Sequence, residues 1–242
     1  MLTSLLAAFQ FLTIFPLPAR WQPSLAELGR AVGWFPLVGL VVGALLAGAN
    51  WLLGFFLPSG LSAVLILALW MLAHGAIHFD GFLDTCDGLF GGKTPDQRLT
   101  IMRDHRVGAF AVAGGGLLLL FKYSALTTSA DRTLALFLAP ILGRWGMALA
   151  IVLFPYAREQ GLGRVMKDHA HWPQAVLSTA ITLLAVGSLG GWSGAVAMVV
   201  TLVILSLTAG FIQTRIPGLT GDSYGAICEV IEAAALATFV SI

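Results

Sequence analysis

Residues 33–57 read GWFPLVGLVVGALLAGANWLLGFFL, a run without a single charged side chain. A helix needs roughly 20 mostly apolar residues to cross the hydrocarbon core of a bilayer, and this run is long enough. Further apolar runs follow at about 61–79, 108–128, 133–155, 174–190, 192–213 and 226–242. The first residues, 2–17, are apolar but short and end in Phe15-Pro16-Leu17-Pro18, which suits a helix lying in the membrane interface better than a span. The expected fold class is therefore all-α: a polytopic transmembrane helical bundle of about seven spans plus a short N-terminal interfacial helix, forming one integral-membrane domain over residues 1–242.

Composition agrees with that reading. Hydrophobic residues make up 58% of the 242 positions and charged residues 10%, against about 25% charged in an ordinary soluble domain, and mean hydropathy is +0.89. Thirteen basic and twelve acidic residues leave a net charge of +1, so no basic footprint for nucleic acid exists. Cys86 and Cys228 stand far apart with no second thiol beside either, which excludes a CxxC redox pair or a thiolate metal site. The N-terminus lacks the basic start and small-residue cleavage site of a removable signal peptide, so it is expected to stay on the mature chain.

Pro58-Ser59-Gly60 turns the chain between the first two spans, and Thr128-Ser129-Ala130-Asp131-Arg132 separates the third from the fourth. Most polar residues sit in three other connections, 80–107, 156–173 and 214–225. With seven spans, all three fall on one side of the membrane. Lys93, Arg98, Arg103, Arg106, Arg158, Arg164, Lys167 and Arg215 lie there, whereas the opposite loops offer Arg132. An excess of lysine and arginine marks cytoplasmic loops, so a polar site facing the cytoplasm is expected. Gly29-Arg30-Ala31-Val32-Gly33, Gly39-Leu40-Val41-Val42-Gly43 and Gly114-Gly115-Gly116 are read as close-packing positions between helices rather than ligand sites.

The segment with the most chemistry is His78-Phe79-Asp80-Gly81-Phe82-Leu83-Asp84-Thr85-Cys86-Asp87-Gly88-Leu89-Phe90-Gly91-Gly92. Asp80, Asp84 and Asp87 recur at i, i+4 and i+7, which at about 100° per residue places them within roughly 60° of arc on one helical face. Three carboxylates converging at the end of an apolar span repel one another and are costly to desolvate. An oxygen-only set with no thiolate suits a hard cation, and Mg²⁺ in particular uses one or two carboxylates together with substrate phosphate oxygens. The dense DxDxDG loop of calcium sites is missing. The alternative is a solvated helix end paired with Arg98, Arg103 and Arg106.

His78 is a candidate general base at the membrane edge, where Gly81 offers a break in the helix; His74 is read as packed inside the bundle. Arg98-Leu99-Thr100-Ile101-Met102-Arg103-Asp104-His105-Arg106-Val107-Gly108 adds two arginines suited to clamp a pyrophosphate, Arg103 and Arg106, and a further carboxylate, Asp104. Membrane anchoring is the competing role for these arginines. In Thr220-Gly221-Asp222 a glycine turn is able to present backbone N–H groups and a carboxylate to a ligand, with a plain turn as the alternative.

At these residues the chain resembles cobalamin synthase, the adenosylcobinamide-GDP ribazoletransferase family. The resemblance runs over nearly the whole chain: Phe11-Leu12-Thr13 with Pro16, Phe35-Pro36-Leu37-Val38-Gly39, the block His78 to Gly92, Arg98 to Gly108, and Thr220-Gly221-Asp222 with Gly225-Ala226. It implies a Mg²⁺-dependent transferase of the cell (inner) membrane. A ribose hydroxyl of α-ribazole or its 5′-phosphate would attack the phosphorus attached to cobinamide in adenosylcobinamide-GDP, and GMP would leave. In the motifs, Asp80, Asp84 and Asp87 occupy the aspartate positions, Asp104 the second acidic position and Asp222 the C-terminal one. His105, Pro217 and Ile14 depart from the family pattern, which touches local substrate contacts and no carboxylate.

Two other classes compete. A CDP-alcohol phosphotransferase uses the same chemistry, but it places Ala-Arg after its Asp-Gly where this chain has Phe82-Leu83-Asp84. A cation transporter would hold its aspartates at mid-membrane on broken helices. The sequence is silent on self-association and leaves a homo-oligomer open.

Overall fold

In the computed structural model, which describes residues 1–15 and 23–241, every regular element among the described residues is a helix. Pro16, Leu17, Pro18 and Ile242 lie outside the described residues. The chain runs α1 (Leu2–Leu12), α2 (Leu25–Ala31), a 3₁₀ turn (Val32–Trp34), α3 (Phe35–Leu53), α4 (Ser59–Ala73), α5 (Ile77–Gly91), α6 (Pro95–Ile101), α7 (Ala109–Thr128), α8 (Arg132–Leu153), α9 (Leu162–His169), α10 (Trp172–Leu189), α11 (Gly191–Gln213) and α12 (Gly221–Ser241). Six helical segments are long and apolar enough to cross a membrane, and up to seven if the bent pair α4–α5 counts as one span. This agrees with the bundle expected from the apolar runs.

Two expected boundaries change. The first span starts at Leu25 rather than 33, because Ser24 and Glu27 close a capping box that starts the helix ahead of the apolar run. The run at 61–79 is not a straight span. It breaks after Ala73, and α4 and α5 meet at 91°. Gly75 and Ala76 take left-handed backbone angles, φ +58° and +56°, a region open to glycine and costly for alanine. The aspartate block is thus carried on a helix of its own, and the break precedes His78 instead of falling at Gly81.

Helix α8 is the axis of the bundle. Nearly all of it from Ala135 to Ile151 is buried, with α3 along one flank and α12 along another, and α12 in turn packs on α5. Small residues make these approaches possible. A Cβ on Gly81 would lie 2.7 Å from the Asp222 carbonyl oxygen, and one on Gly225 would lie 3.0 Å from that of His78. Gly39 and Gly43 meet the backbone of α8, and Gly29, Gly33, Gly114 and Gly115 also face other helices, whereas Gly116 meets open space.

The three polar connections gather at one end of the bundle. A short parallel bridge joins Tyr156 to Leu219: Ala157 N–H donates to the Leu219 carbonyl and Leu219 N–H to that of Pro155, each at 2.8 Å. Arg98 Nη1 donates to the Arg215 carbonyl at 2.9 Å, tying α6 to the same segment. At the other end Asn50 bonds to Thr133, and Arg132 to Ser59. One end is consequently rich in ionisable groups, and the opposite end holds short turns.

Candidate active site

Helix α5 presents its aspartates as the i, i+4, i+7 spacing requires. Asp80, Asp84 and Asp87 line one cavity of about 360 Å³, together with Arg103, Asp104, Arg106 and Asp222. The side chains are not equivalent. Asp80 is exposed, Asp84 half-buried and Asp87 buried. Asp84 lies within electrostatic reach of Asp80, Asp222 and Asp87, with Arg158 as the opposing cation. Among the described residues neither Asp80 nor Asp84 has a side-chain hydrogen bond or ion pair.

Asp87 has a different task. Its Oδ2 accepts from Gly108 N–H at 2.6 Å and its Oδ1 from Ala111 N–H at 2.8 Å. Each oxygen therefore takes one N–H from the start of α7, whose opening N–H groups have no partner within the helix. The carboxylate also meets the positive end of the helix dipole. The three aspartates share the cavity but differ in contacts: Asp87 also fixes α7 against α5, while Asp80 and Asp84 have no side-chain partner among the described residues. Replacement by alanine, Asp87→Ala, is expected to lower stability by about 1–3 kcal/mol through loss of these two bonds. Thermal unfolding in detergent would measure it.

Thr220 is fully buried and lines neither this cavity nor the neighbouring one. Its Oγ1 accepts from Ser223 N–H at 3.1 Å, so it caps α12. The cap positions Asp222, whose Oδ2 receives Arg158 Nη2 at 2.8 Å. Arg158 had counted only as a loop cation in the sequence, yet it braces the carboxylate that the last span contributes. Asp104 and Arg106 pair with each other at 2.7 Å, and hydrogen bonds from Arg106 hold the Asp104 carboxyl below the usual carboxylate range. This pair is solvent-exposed and easily rearranged. Arg103 is exposed on the cavity wall and has no partner among the described residues.

His78 is buried on the face of α5 turned toward α12, and its ring lies 5.0 Å from that of His74. It lines a second cavity, of about 270 Å³, that shares Asp80 and Asp222 with the first. Its Nε2 is buried without a partner among the described residues.

The family model described as cobalamin-5-phosphate synthase matches residues 4–240. The chain belongs to the cobalamin-5-phosphate synthase family. Proteins named adenosylcobinamide-GDP ribazoletransferase are similar over most of their length. One from Desulforamulus reducens is 38% identical over 235 residues, covering 96% of this chain and 94% of the relative. One from Pseudomonas syringae pv. syringae is 38% identical over 237 residues, 96% of each. One from Roseiflexus sp. is 35% identical over 232 residues, 96% of this chain and 87% of the relative. No solved structure matches. The protein is thus a transferase of cobalamin biosynthesis, built as a multi-pass membrane protein.

For a cobalamin-5-phosphate synthase, the donor set bears on the metal question directly. Among the described residues no group of three His, Cys, Asp or Glu side chains stands close enough to hold an ion by itself. Exposed Asp80 and half-buried Asp84, both without partners among the described residues, nevertheless suit Mg²⁺, which keeps several waters and completes its shell with substrate phosphates.

Sequence reading missed one charged cluster of the family member altogether. Lys122 Nζ donates to Glu229 at 2.6 Å and to Glu232 at 2.7 Å, Arg144 also donates to Glu232, and the Trp70 ring lies 4.6 Å from Lys122. All four ionisable side chains are buried between α7, α8 and α12. Ionisable residues inside apolar spans were the available signal; their pairing depends on residues 88 to 110 positions apart.

Proposed function

We propose that this protein is an adenosylcobinamide-GDP ribazoletransferase. It transfers the cobinamide phosphate of adenosylcobinamide-GDP to α-ribazole, or to α-ribazole 5′-phosphate, and releases GMP. The observation that carries this is the pair Asp80 and Asp84, without partners among the described residues, on the wall of a cavity that also holds Arg103 and Asp222. The relatives' shared name supplies the substrates.

In the reaction a ribose hydroxyl oxygen attacks the phosphorus attached to cobinamide. A new P–O bond forms, the bridging P–O bond of the diphosphate breaks, and GMP departs with the bonding pair. Asp80 and Asp84 would hold Mg²⁺, which when bound supplies neutralisation of charge on the diphosphate. Arg103 offers its planar guanidinium to phosphate oxygens, and Arg106 reaches them by exchanging its exposed pairing with Asp104. Asp222, braced by Arg158, bounds the site from α12. His78 Nε2 receives the hydroxyl proton. The basic residues gathered at this end favour a cytoplasmic orientation in the inner membrane.

The test is GMP release by purified protein in liposomes given adenosylcobinamide-GDP and α-ribazole. Release is expected with Mg²⁺, lost on chelation and restored by added Mg²⁺. Metal-independent release would remove the cation from the account, and turnover of CDP-diacylglycerol alone would replace the substrates.

A further inference from the structure

Away from both cavities, three helix ends bring a cluster of aromatic rings to the surface. Phe90 lies at the end of α5, Phe110 at the start of α7 and Phe211 in the last turn of α11. The Phe90 ring is 5.8 Å from that of Phe110 and 6.1 Å from that of Phe211, and all three residues are exposed. Three cations stand around this ledge. The Arg215 guanidinium lies 5.2 Å over the Phe211 ring, and Arg98 donates to the Arg215 carbonyl. Lys93 is exposed and follows Gly92, which packs on the Arg98 side chain. None of the three has an ion pair among the described residues. Membrane topology alone asks for positive charge on one side and not for its placement; here the charges are set around one apolar patch.

We infer that this corner is a binding site for one anionic phospholipid, separate from the transferase chemistry. None of the six residues lines the aspartate cavity or its neighbour, so the site belongs to neither. α7 and α11 are both long and apolar enough to cross a membrane, and their exposed side chains, Leu117 and Leu120 on α7 and Leu207 on α11, meet acyl chains. The three rings continue that apolar surface to the end of the bundle where the polar connections gather. A lipid seated there lays its chains over the rings and its phosphate diester between Lys93 and Arg215, with Arg98 behind. Basic pockets at helix ends recognise lipid headgroups in this way, each cation favouring the anionic lipid by roughly fivefold. A zwitterionic lipid carries a cation of its own toward these three and loses that advantage. A soluble phosphate meets the cations but leaves the rings uncovered.

The test is native mass spectrometry of the full chain in detergent, titrated with phosphatidylglycerol and, separately, with phosphatidylcholine of the same acyl chains. The parent is expected to hold one phosphatidylglycerol at least about fivefold more tightly than phosphatidylcholine. Lys93→Gln with Arg215→Gln should weaken the anionic lipid at least about tenfold and leave the zwitterionic one nearly unchanged. Lys93→Gln alone, at an exposed side chain, carries the same prediction at about half that loss on a logarithmic scale, so a double variant that fails to fold does not end the test. Arg215→Lys should keep the preference, and Phe90→Ala with Phe110→Ala should weaken both lipids together. Equal binding of the two lipids by the parent overturns the site, as does a preference that survives loss of both cations. An equal loss in Arg30→Gln, an exposed cation on α2, would mean diffuse charge and not a site. Displacement of phosphatidylglycerol by an equal concentration of glycerol 3-phosphate would make the ligand a soluble phosphate and overturn the assignment to lipid. Lipid binding is read without turnover, so its failure leaves the transferase reading standing, and failure of GMP release leaves the lipid site standing.

Discussion

Asp84→Asn is expected to lower turnover by about 10²–10³-fold, equivalent to roughly 2.7–4 kcal/mol of transition-state stabilisation, while the protein stays folded. The substitution keeps shape and removes one charge. Asp84 is half-buried, has no partner among the described residues, and lies among the negative charges of Asp80, Asp222 and Asp87. Its removal therefore relieves repulsion in the free protein, and unfolding should move little or upward. The loss must appear only where a cation and a diphosphate are gathered. Kinetics of GMP release at saturating Mg²⁺, with thermal unfolding measured alongside, separates these effects. Near-normal turnover under those conditions would remove Asp84 from the cation site. Asp87→Ala makes the contrast, because its carboxylate is committed to α7 and its replacement costs stability first.

The second large effect belongs to the bundle interior. Glu232→Ala is expected to destabilise the protein by about 3–5 kcal/mol, because it leaves Lys122 and Arg144 buried with Glu229 as their remaining counter-charge. Thermal unfolding in detergent and retention as a monodisperse species would report it. A double-mutant cycle sharpens the point. Lys122→Met combined with Glu229→Gln removes one charge of each sign and leaves the Arg144–Glu232 pair intact, so it should cost clearly less than the two single changes added together. A Glu232→Ala protein as stable as the parent would mean that the cluster is hydrated rather than dry.

Much of the architecture was legible in the sequence because the bilayer forces it to be. Uninterrupted apolar runs such as 33–57 and 192–213 have few alternatives to a spanning helix, and three polar connections at one end follow from counting spans. The break at His74-Gly75-Ala76 was not legible. Neither an isolated glycine nor an alanine announces a left-handed turn, and the apolar run continues through it. At the site, the shared face of Asp80, Asp84 and Asp87 followed from helical periodicity alone. Their unequal roles did not, because the N-terminus of α7 that claims Asp87 lies 21 and 24 residues downstream. The same distance effect hid the Arg158–Asp222 pair and the charges around Lys122. Periodicity says which residues share a face, and only the packed bundle says what that face meets.

The Asp80–Asp84 wall as a divalent-cation site is tested most directly by binding of Mn²⁺, a hard ion suited to the same oxygen donors as Mg²⁺, followed by electron paramagnetic resonance. The protein in nanodiscs would be titrated in the presence of adenosylcobinamide-GDP, with Asp80→Asn and Asp84→Asn titrated in parallel. Saturable Mn²⁺ binding to the parent, weakened at least about tenfold in each variant, is the predicted result. Equal binding by all three proteins would contradict it.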